Sequence, residues 1–539
     1  MTFEAAYVIL HPKKFFSRLD ASRTKIQLFH YKYLNVLFSA VLASLSEQGN
    51  IIGIYTSMSI LIQNSLTKKK EEFIPLSPPD VKIYACGVTV YDDCHVGHAR
   101  SLYIFMVLKK YLEYRGYKVH LVRNITDVDD KIINRANEEK VSFNEIRLRY
   151  IKNYYRDLKA LEIEKADFEP LATENINYMT YHIKQLINKG SAYEVQGDVY
   201  FSVRSFASYG KLSGQSLDEM QTAVRIDKDE KKKDPLDFAL WKKSKEGEPS
   251  WESPWGPGRP GWHIECSTMS MRFLKTQKLD IHAGGRDLIF PHHENEIAQS
   301  ESLTGEPFAA YWVHHGLLTI DGKKMSKSLG NFVTIQDVLK KYEPNILKLF
   351  FLAAHYGSPM DFTFEGLEKT KRGYAKIEEF INKIGFLKKK AGDKKPAPSA
   401  SGEKEVLGLL HRFEEAMDDD FNTAEGLAAL FELLNLGNKY FSSGQREEDA
   451  LYAGQVLMDL GKVLGLNLKE SSAERLTISL TETVKVSDSA DTPLSSSEIE
   501  KLIADRREAR QKKDFKRADE IRDHLKKHGV IVEDKERTG

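Results

Sequence analysis

"VKIYACGVTVYDDCHVGHARSLYIFMVLKKYLEYRGYKVHLVRNI", residues 81–125, reads as strand, turn, helix and strand. VKIYAC has the alternation of a β-strand; Leu102, Phe105, Met106, Lys109 and Leu112 then recur at helical spacing, and Gly116 stops that helix. YKVHLVRNI follows as a second apolar strand. Two strands joined by one helix run parallel, because a helical crossover returns the chain to the end of the sheet it started from. A ligand then belongs beyond the carboxyl ends of those strands, at the turn CHVGH.

Working outward, residues 201–260 loosen into a charged, Trp/Pro/Gly-rich stretch, read as an insertion in the sheet domain. LDIHAGGRDLIF (279–290) restores a strand and a glycine turn, and a helix is expected near Pro291, where a first-turn proline costs nothing. After about Tyr374 the chain is helical. Residues 388–404 look like a basic linker, and Asn422 with Glu425 three residues on forms a capping signal. A polar linker over 469–496 leads to a last helix from Ser497, capped by Glu500. The expected fold is α/β: a Rossmann-like parallel-sheet catalytic domain (58–373) with an insertion, then α-helical bundle domains. Those are a bundle over 374–468 and a small helical domain over 497–539.

Composition sets the bounds. A chain of 539 residues holds several domains at about 150 residues each. Net charge is +1 from 79 basic and 78 acidic residues, so a nucleic-acid partner would have to be met by local basic patches. With 41% hydrophobic residues the chain is neither disordered nor a disulfide module. Its three cysteines, Cys86, Cys94 and Cys266, are an odd and sparse set that suits a reducing compartment and metal or catalytic use. The apolar run at 33–45 is shorter than the roughly 18–20 residues a membrane span needs. Residues 1–57 are read as an extension outside the fold, with Met58 as the effective start, and the expected location is the cytoplasm.

Two motifs carry chemistry. His95, Gly97 and His98 lie where a strand passes into a helix, and the free N–H groups of a first helical turn favour an anion. KMSKS, with Lys324 and Lys327, sits on a glycine-bearing loop suited to neutralising a leaving polyphosphate. A His-containing turn after the first strand and this loop after the last are the signature pair of class I aminoacyl-tRNA synthetases. Two thiols, an imidazole and a carboxylate suggest a zinc site from Cys86, Cys266, His292 and Glu296. His293 is the rival of His292, because i,i+3 and i,i+4 spacings both share a face with Glu296.

The chain from Met58 resembles the cysteinyl-tRNA synthetase family. YACGVTVYDDCHVGHAR, NITDVDDKI, GWHIECS, DIHAGGRDLIFPHHENEIAQ and KKMSKSLGNF stand in the family's order, nearly unbroken. The resemblance implies that Cys86, Cys266, His292 and Glu296 are the zinc ligands, in preference to His293. It implies an amino-acid pocket of Cys86, Gly87, Thr126, Trp262 and His292, an ATP site of His95, Gly97, His98, Asp287 and Lys327, and catalytic roles for His95, His98, Lys324 and Lys327. The expected partners are ATP with Mg2+, L-cysteine and tRNA(Cys), with one zinc ion per chain, no membrane and a monomeric state. Shape alone separates cysteine from serine by only about 10²-fold where translation needs about 10⁴–10⁵, and zinc binds a thiolate far better than a hydroxyl. The rivals are a ligase passing activated cysteine to an amino-sugar, disfavoured by the long helical region, and a non-enzymatic RNA binder, disfavoured by the intact motif lysines and histidines.

Overall fold

The computed structural model describes residues 59–217, 219, 231–326, 330–392, 395–469, 482–486, 496–511, 514–528 and 530–534. Residues 1–57, Met58 and Lys327 lie outside the described residues.

A short hairpin, β1 (Leu61–Asn64) and β2 (Lys69–Glu72), precedes β3 (Asp80–Thr89), α1 (Val96–Tyr114) and β4 (Lys118–Thr126). β3 pairs parallel with β4, as the crossover requires. Gly116 takes φ +88 just past the helix, a conformation that favours glycine. α2 (Asp130–Glu139), α3 (Phe143–Ala160) and α4 (Ile176–Asn188) follow. Then come β5 (Ala192–Val195), β6 (Asp198–Phe201), β7 (Phe238–Lys243) and β8 (Gly258–Pro260), an antiparallel sheet in that order. The excursion from the parallel sheet is therefore wider than the expected 201–260. Its first hairpin turns at Gln196 and Gly197, both at positive φ, as a two-residue hairpin turn requires.

α5 (Trp262–Leu274) leads back to β9 (Leu279–Gly285), α6 (Glu294–Thr304) and β10 (Ala309–His315). The helix expected near Pro291 is present: Pro291, His292 and His293 hold helical dihedral angles and run on into α6. Pro drives its predecessor out of the helical region, and Phe290, at φ −135, ψ 132, marks the break just before it. The parallel sheet has the order β10-β9-β3-β4. The chain leaves β3 toward β4 on one side and β9 toward β10 on the other. The crevice at the carboxyl ends of β3 and β9 is thus a topological switch point, where open α/β sheets bind ligands.

β11 (Leu318–Ile320) and β12 (Lys323–Lys324) form a hairpin, and after α7 (Ile335–Leu339) and α8 (Pro344–Leu352), β13 (Met360–Phe362) pairs parallel with β11. Four long helices follow: α9 (Phe364–Ala391), α10 (Ala400–Asp418), α11 (Thr423–Ser443) and α12 (Glu447–Val463). The expected boundary at 373/374 falls inside α9. Of the stretch 388–404 the two ends are helix, residues 388–391 closing α9 and 400–404 opening α10: Lys388, Lys389 and Lys390 occupy the last turn of α9, where the helix dipole favours cations, and residues 395–399 are the non-helical connection. The Asn422 side chain accepts a hydrogen bond from Glu425 N, as its spacing predicts.

The last unit holds β14 (Glu482–Val486), α13 (Ser496–Gln511), α14 (Phe515–Lys527) and β15 (Val530–Asp534), with β14 antiparallel to β15. The stretch 469–496 thus contains a strand rather than being linker throughout. ETVKV alternates as a strand does, and it pairs with VIVED more than forty positions later, a partner that local pattern does not reveal.

The parallel sheet separates two cores. Ile83, Ala85 and the buried face of α1 join the helices α9–α12 in one cluster, while Tyr84 and Cys86, on the opposite face of β3, join α4, α5, α6 and the antiparallel sheet in another. Among the described residues no helix is long and apolar enough to cross a membrane.

Candidate active site

Strand alternation turns Cys86 toward the second core, where α5 and the turn before α6 meet the sheet. Cys86 Sγ lies 3.8 Å from Cys266 Sγ and 3.5 Å from Glu296 Oε1. His292 Nε2 lies 3.5 Å from Cys266 Sγ and 3.0 Å from Glu296 Oε1. These four donor atoms all fall within 4.8 Å of one another, and all four residues are buried. Tetrahedral zinc with bonds of about 2.3 Å to sulfur places two sulfurs about 3.8 Å apart, so the donor set fits that ion in chemistry and in spacing.

A second set, Cys86, His282, His293 and Glu296, shares two members with the first. His293 Nε2 is 3.3 Å from Cys86 Sγ and 4.0 Å from Glu296 Oε1, so geometry brings both histidines to the cluster. Electrostatics divides them. Although burial works against it, the Glu296 carboxylate and the Cys266 sulfur raise His292 to about 10. Burial and the surrounding histidines push His293 well below its usual range. His282 Nε2 is committed to Glu296 Oε2 at 2.9 Å, and His293 Nδ1 to His314 Nε2 at 2.7 Å. Such outer contacts orient ligands. Against the cost of burial, the imidazoles of His282 and His292 hold Glu296 down at about 2, and the hydrogen bond from Cys86 with the neighbouring His292 brings Cys266 to about 6.

Sequence reasoning named none of His263, His282 and His314. His263 Nδ1 meets His292 Nδ1 at 2.8 Å, and its spacing three residues before Cys266 was an available signal. His282 and His314 sit on neighbouring parallel strands, and only the sheet register brings them to one place.

The other expected pocket residues surround this cluster. The Trp262 ring, 39% exposed, stacks on His292 with centroids 4.0 Å apart. Thr126 Oγ1 donates to the buried Glu265 carboxylate at 2.9 Å. Gly87 N donates to Asn124 Oδ1 at 2.8 Å, and a Cβ on Gly87 would fall 1.6 Å from the Asn124 carbonyl oxygen, so only glycine fits.

The second group lies at the start of α1. His95 is its N-cap: His95 Nδ1 accepts from His98 N at 3.2 Å, and His98 Nδ1 accepts from His95 N at 3.4 Å. The rings stack at 3.6 Å. Burial lowers His95 to about 4, opposed by the nearby Asp287 carboxylate, and burial, with the neighbouring His95 and Lys131, holds His98 well below its ordinary value. Both rings are therefore neutral at pH 7, and with Nδ1 accepting, each carries its proton on Nε2. Asp287 sits in the turn after β9, where a Cβ on Gly285 would strike its carboxylate at 2.3 Å. The loop bearing Lys324 approaches the same turn: Val96 N donates to Val333 O, Ile335 N donates to Cys94 O, and a Cβ on Gly97 would stand 3.5 Å from Met325 Cε. Lys324 itself is exposed. Arg100, unremarked in sequence, is wholly buried and donates to the carbonyls of Gly316, Leu317, Tyr356 and Ser358.

A family model for the class I (C) tRNA synthetase catalytic domain matches residues 72–372. A DALR domain model matches 412–469, and a model for the cysteinyl-tRNA ligase anticodon binding domain matches 492–538. The chain is 48% identical over 480 residues to the cysteine–tRNA ligase of Geobacter sulfurreducens, covering 88% of this chain and 98% of that one. It is 48% identical over 482 residues to that of Geobacillus thermodenitrificans, covering 88% and 97%. Its fold resembles Mycobacterium tuberculosis methionyl-tRNA synthetase bound by methionyl-adenylate, with a TM-score of 0.56 at 15% identity over 71% of this chain and 92% of that one. On a catalytic-domain model that matches more than half of it and relatives 48% identical over 88% of it, the chain belongs to the cysteine–tRNA ligase family of class I aminoacyl-tRNA synthetases.

Proposed function

We propose that the protein activates L-cysteine with ATP and esterifies it to the 3′-terminal ribose of tRNA(Cys), as a cytoplasmic monomer. The observation that carries this reading is the convergence of Cys86, Cys266, His292 and Glu296 on the strand whose following turn holds His95 and His98. These four would hold zinc, which when bound supplies a soft Lewis acid that takes a thiolate in preference to a hydroxyl. Trp262, Thr126 and Gly87 shape the pocket around the amino acid.

The cysteine carboxylate attacks the α-phosphorus of ATP, and pyrophosphate leaves with its Mg2+. The Nε2–H groups of His95 and His98 donate to phosphoryl oxygens as charge builds, and the first turn of α1 adds backbone N–H groups. Gly97 keeps that turn free of a side chain. Lys324 and Lys327 neutralise the departing pyrophosphate, and Asp287 offers a carboxylate to donors of the bound substrate, the adenosine ribose among them. A ribose hydroxyl of tRNA then attacks the mixed anhydride, giving the ester and AMP. Positioning supplies most of the acceleration in such a transfer. Residues 492–538, matched by the anticodon binding model, read the tRNA.

The test is ATP–pyrophosphate exchange with cysteine and with serine, before and after metal removal, followed by charging of tRNA(Cys). Exchange with cysteine alone, lost with the metal and restored by zinc, is expected. A folded, zinc-loaded protein that exchanges with neither would overturn the catalytic reading.

A further inference from the structure

Asp418, Asp419 and Asp420 end α10 and turn the chain into α11, and each is spent on a different part of the catalytic domain. Asp418, 3% exposed, accepts from Tyr111 Oη at 2.6 Å and pairs with Arg115, both at the far end of α1. Asp419 pairs with Lys70 of β2 at 2.6 Å. Asp420, also 3% exposed, accepts from Gln63 N of β1 at 2.8 Å and from Tyr356 Oη at 2.7 Å, and His355 Nε2 lies 3.3 Å from its other oxygen. Its own N–H donates to Leu61 O.

The backbone here is strained. Asp420 and the buried Phe421 stand at φ +63 and +50, two consecutive non-glycine residues in the left-handed region. Such conformations are unfavourable for residues that carry a Cβ and persist only where the surroundings over-determine them. A helix-to-helix turn needs no such arrangement, so the contacts that hold it are the informative part.

Tyr356 continues the connection. Its hydroxyl is held by Asp420, while its carbonyl accepts from Arg100 Nη2 at 3.1 Å and from Gly316 N at 2.9 Å. Arg100 lies two residues beyond His98 on the first turns of α1, and Gly316 follows His315 at the carboxyl end of β10. One buried tyrosine is thereby fixed at one end by the helical bundle and at the other by the elements that form the nucleotide crevice.

We infer that Asp420 and Tyr356 are positioning residues for the tRNA-dependent step: they hold the bundle in fixed register with the crevice, so that tRNA bound along the helices delivers its 3′ end to the adenylate. Neither residue is in the pocket itself, so activation of the amino acid does not depend on the bond. This inference rests on the tRNA-charging function proposed above.

Tyr356→Phe deletes one hydroxyl and disturbs no backbone; Asp420→Ala removes both carboxylate acceptors; Asp420→Asn keeps an acceptor oxygen and tolerates positive φ. The readouts are cysteine-dependent ATP–pyrophosphate exchange without tRNA, kcat and KM for tRNA in charging, and the melting midpoint. Tyr356→Phe and Asp420→Ala are expected to keep exchange within about twofold while kcat for charging falls about tenfold or more, with Asp420→Asn restoring most of it. The inference is overturned if charging is unchanged in Tyr356→Phe, if exchange and charging fall in parallel, or if the loss lies wholly in KM for tRNA. A parent protein that neither exchanges nor charges would instead sink the functional reading, and this inference with it.

Discussion

Gly87 and His95 show how single positions set the site. At Gly87 the Asn124 carbonyl oxygen occupies the place of a Cβ, so Gly87→Ala must force β3 and β4 apart beside the thiol cluster. Overpacking of this kind costs about 1–3 kcal/mol, and the overlap puts this case at the upper end, so a lowered thermal midpoint with weakened metal binding is expected. His95 gives a pH prediction. Burial lowers its folded value to about 4, below the unfolded value of about 6.5. Between those values the unfolded chain binds the proton first, so this group's contribution to stability is full above about pH 6.5 and is lost as pH falls toward 4. NMR titration of the His95 ring should show no midpoint above pH 5; a midpoint near 6.5 would mean a solvated ring and a different donor state. The motif made His95 legible in sequence, but its tautomer was not, because that follows from the reciprocal hydrogen bonds with the His98 turn.

At the scale of elements, α1 links the chemistry to the framework. Its N-terminus presents the histidine turn, Arg100 clamps the carbonyls of the loops after β10 and α8, and its far end reaches α10 through Tyr111 and Arg115. Lysine is no substitute for a buried guanidinium that serves four carbonyls, because a single ammonium leaves some of them unpaired at about 1–3 kcal/mol each. Arg100→Lys should therefore lower the melting midpoint and depress exchange and charging together, the contrast to the split expected for Tyr356→Phe. The segment from Pro291 into α6 is the other decisive element. Its helical spacing brings both His292, at i,i+4, and His293, at i,i+3, to Glu296, so spacing alone does not choose between the two rings.

At the scale of the molecule, the sheet's α1 face and helices α9–α12 share one core, from Ile60 to Leu466, whereas Ile499, Ile503, Ile521, Leu525 and Val530 form a separate one. A chain ending at residue 469 should melt with the parent midpoint in calorimetry and retain exchange, while charging falls more than about tenfold, or 1.4 kcal/mol of recognition. Loss of exchange in that truncation would show that the separate core is required for the crevice. The parallel crossover and the motif turn were determined by sequence alone, because strand alternation and helical spacing are local properties; donor chemistry and spacing pointed to Cys86, Cys266 and Glu296 but left His292 and His293 as rivals, which only the family resemblance divided. The tertiary structure alone decided the meeting of His282 with His314, the fusion of bundle and sheet into one core, and the Asp420–Tyr356 connection. Each depends on contacts between elements distant in the chain; a period of two says which face a residue takes, and only long-range packing says what stands opposite.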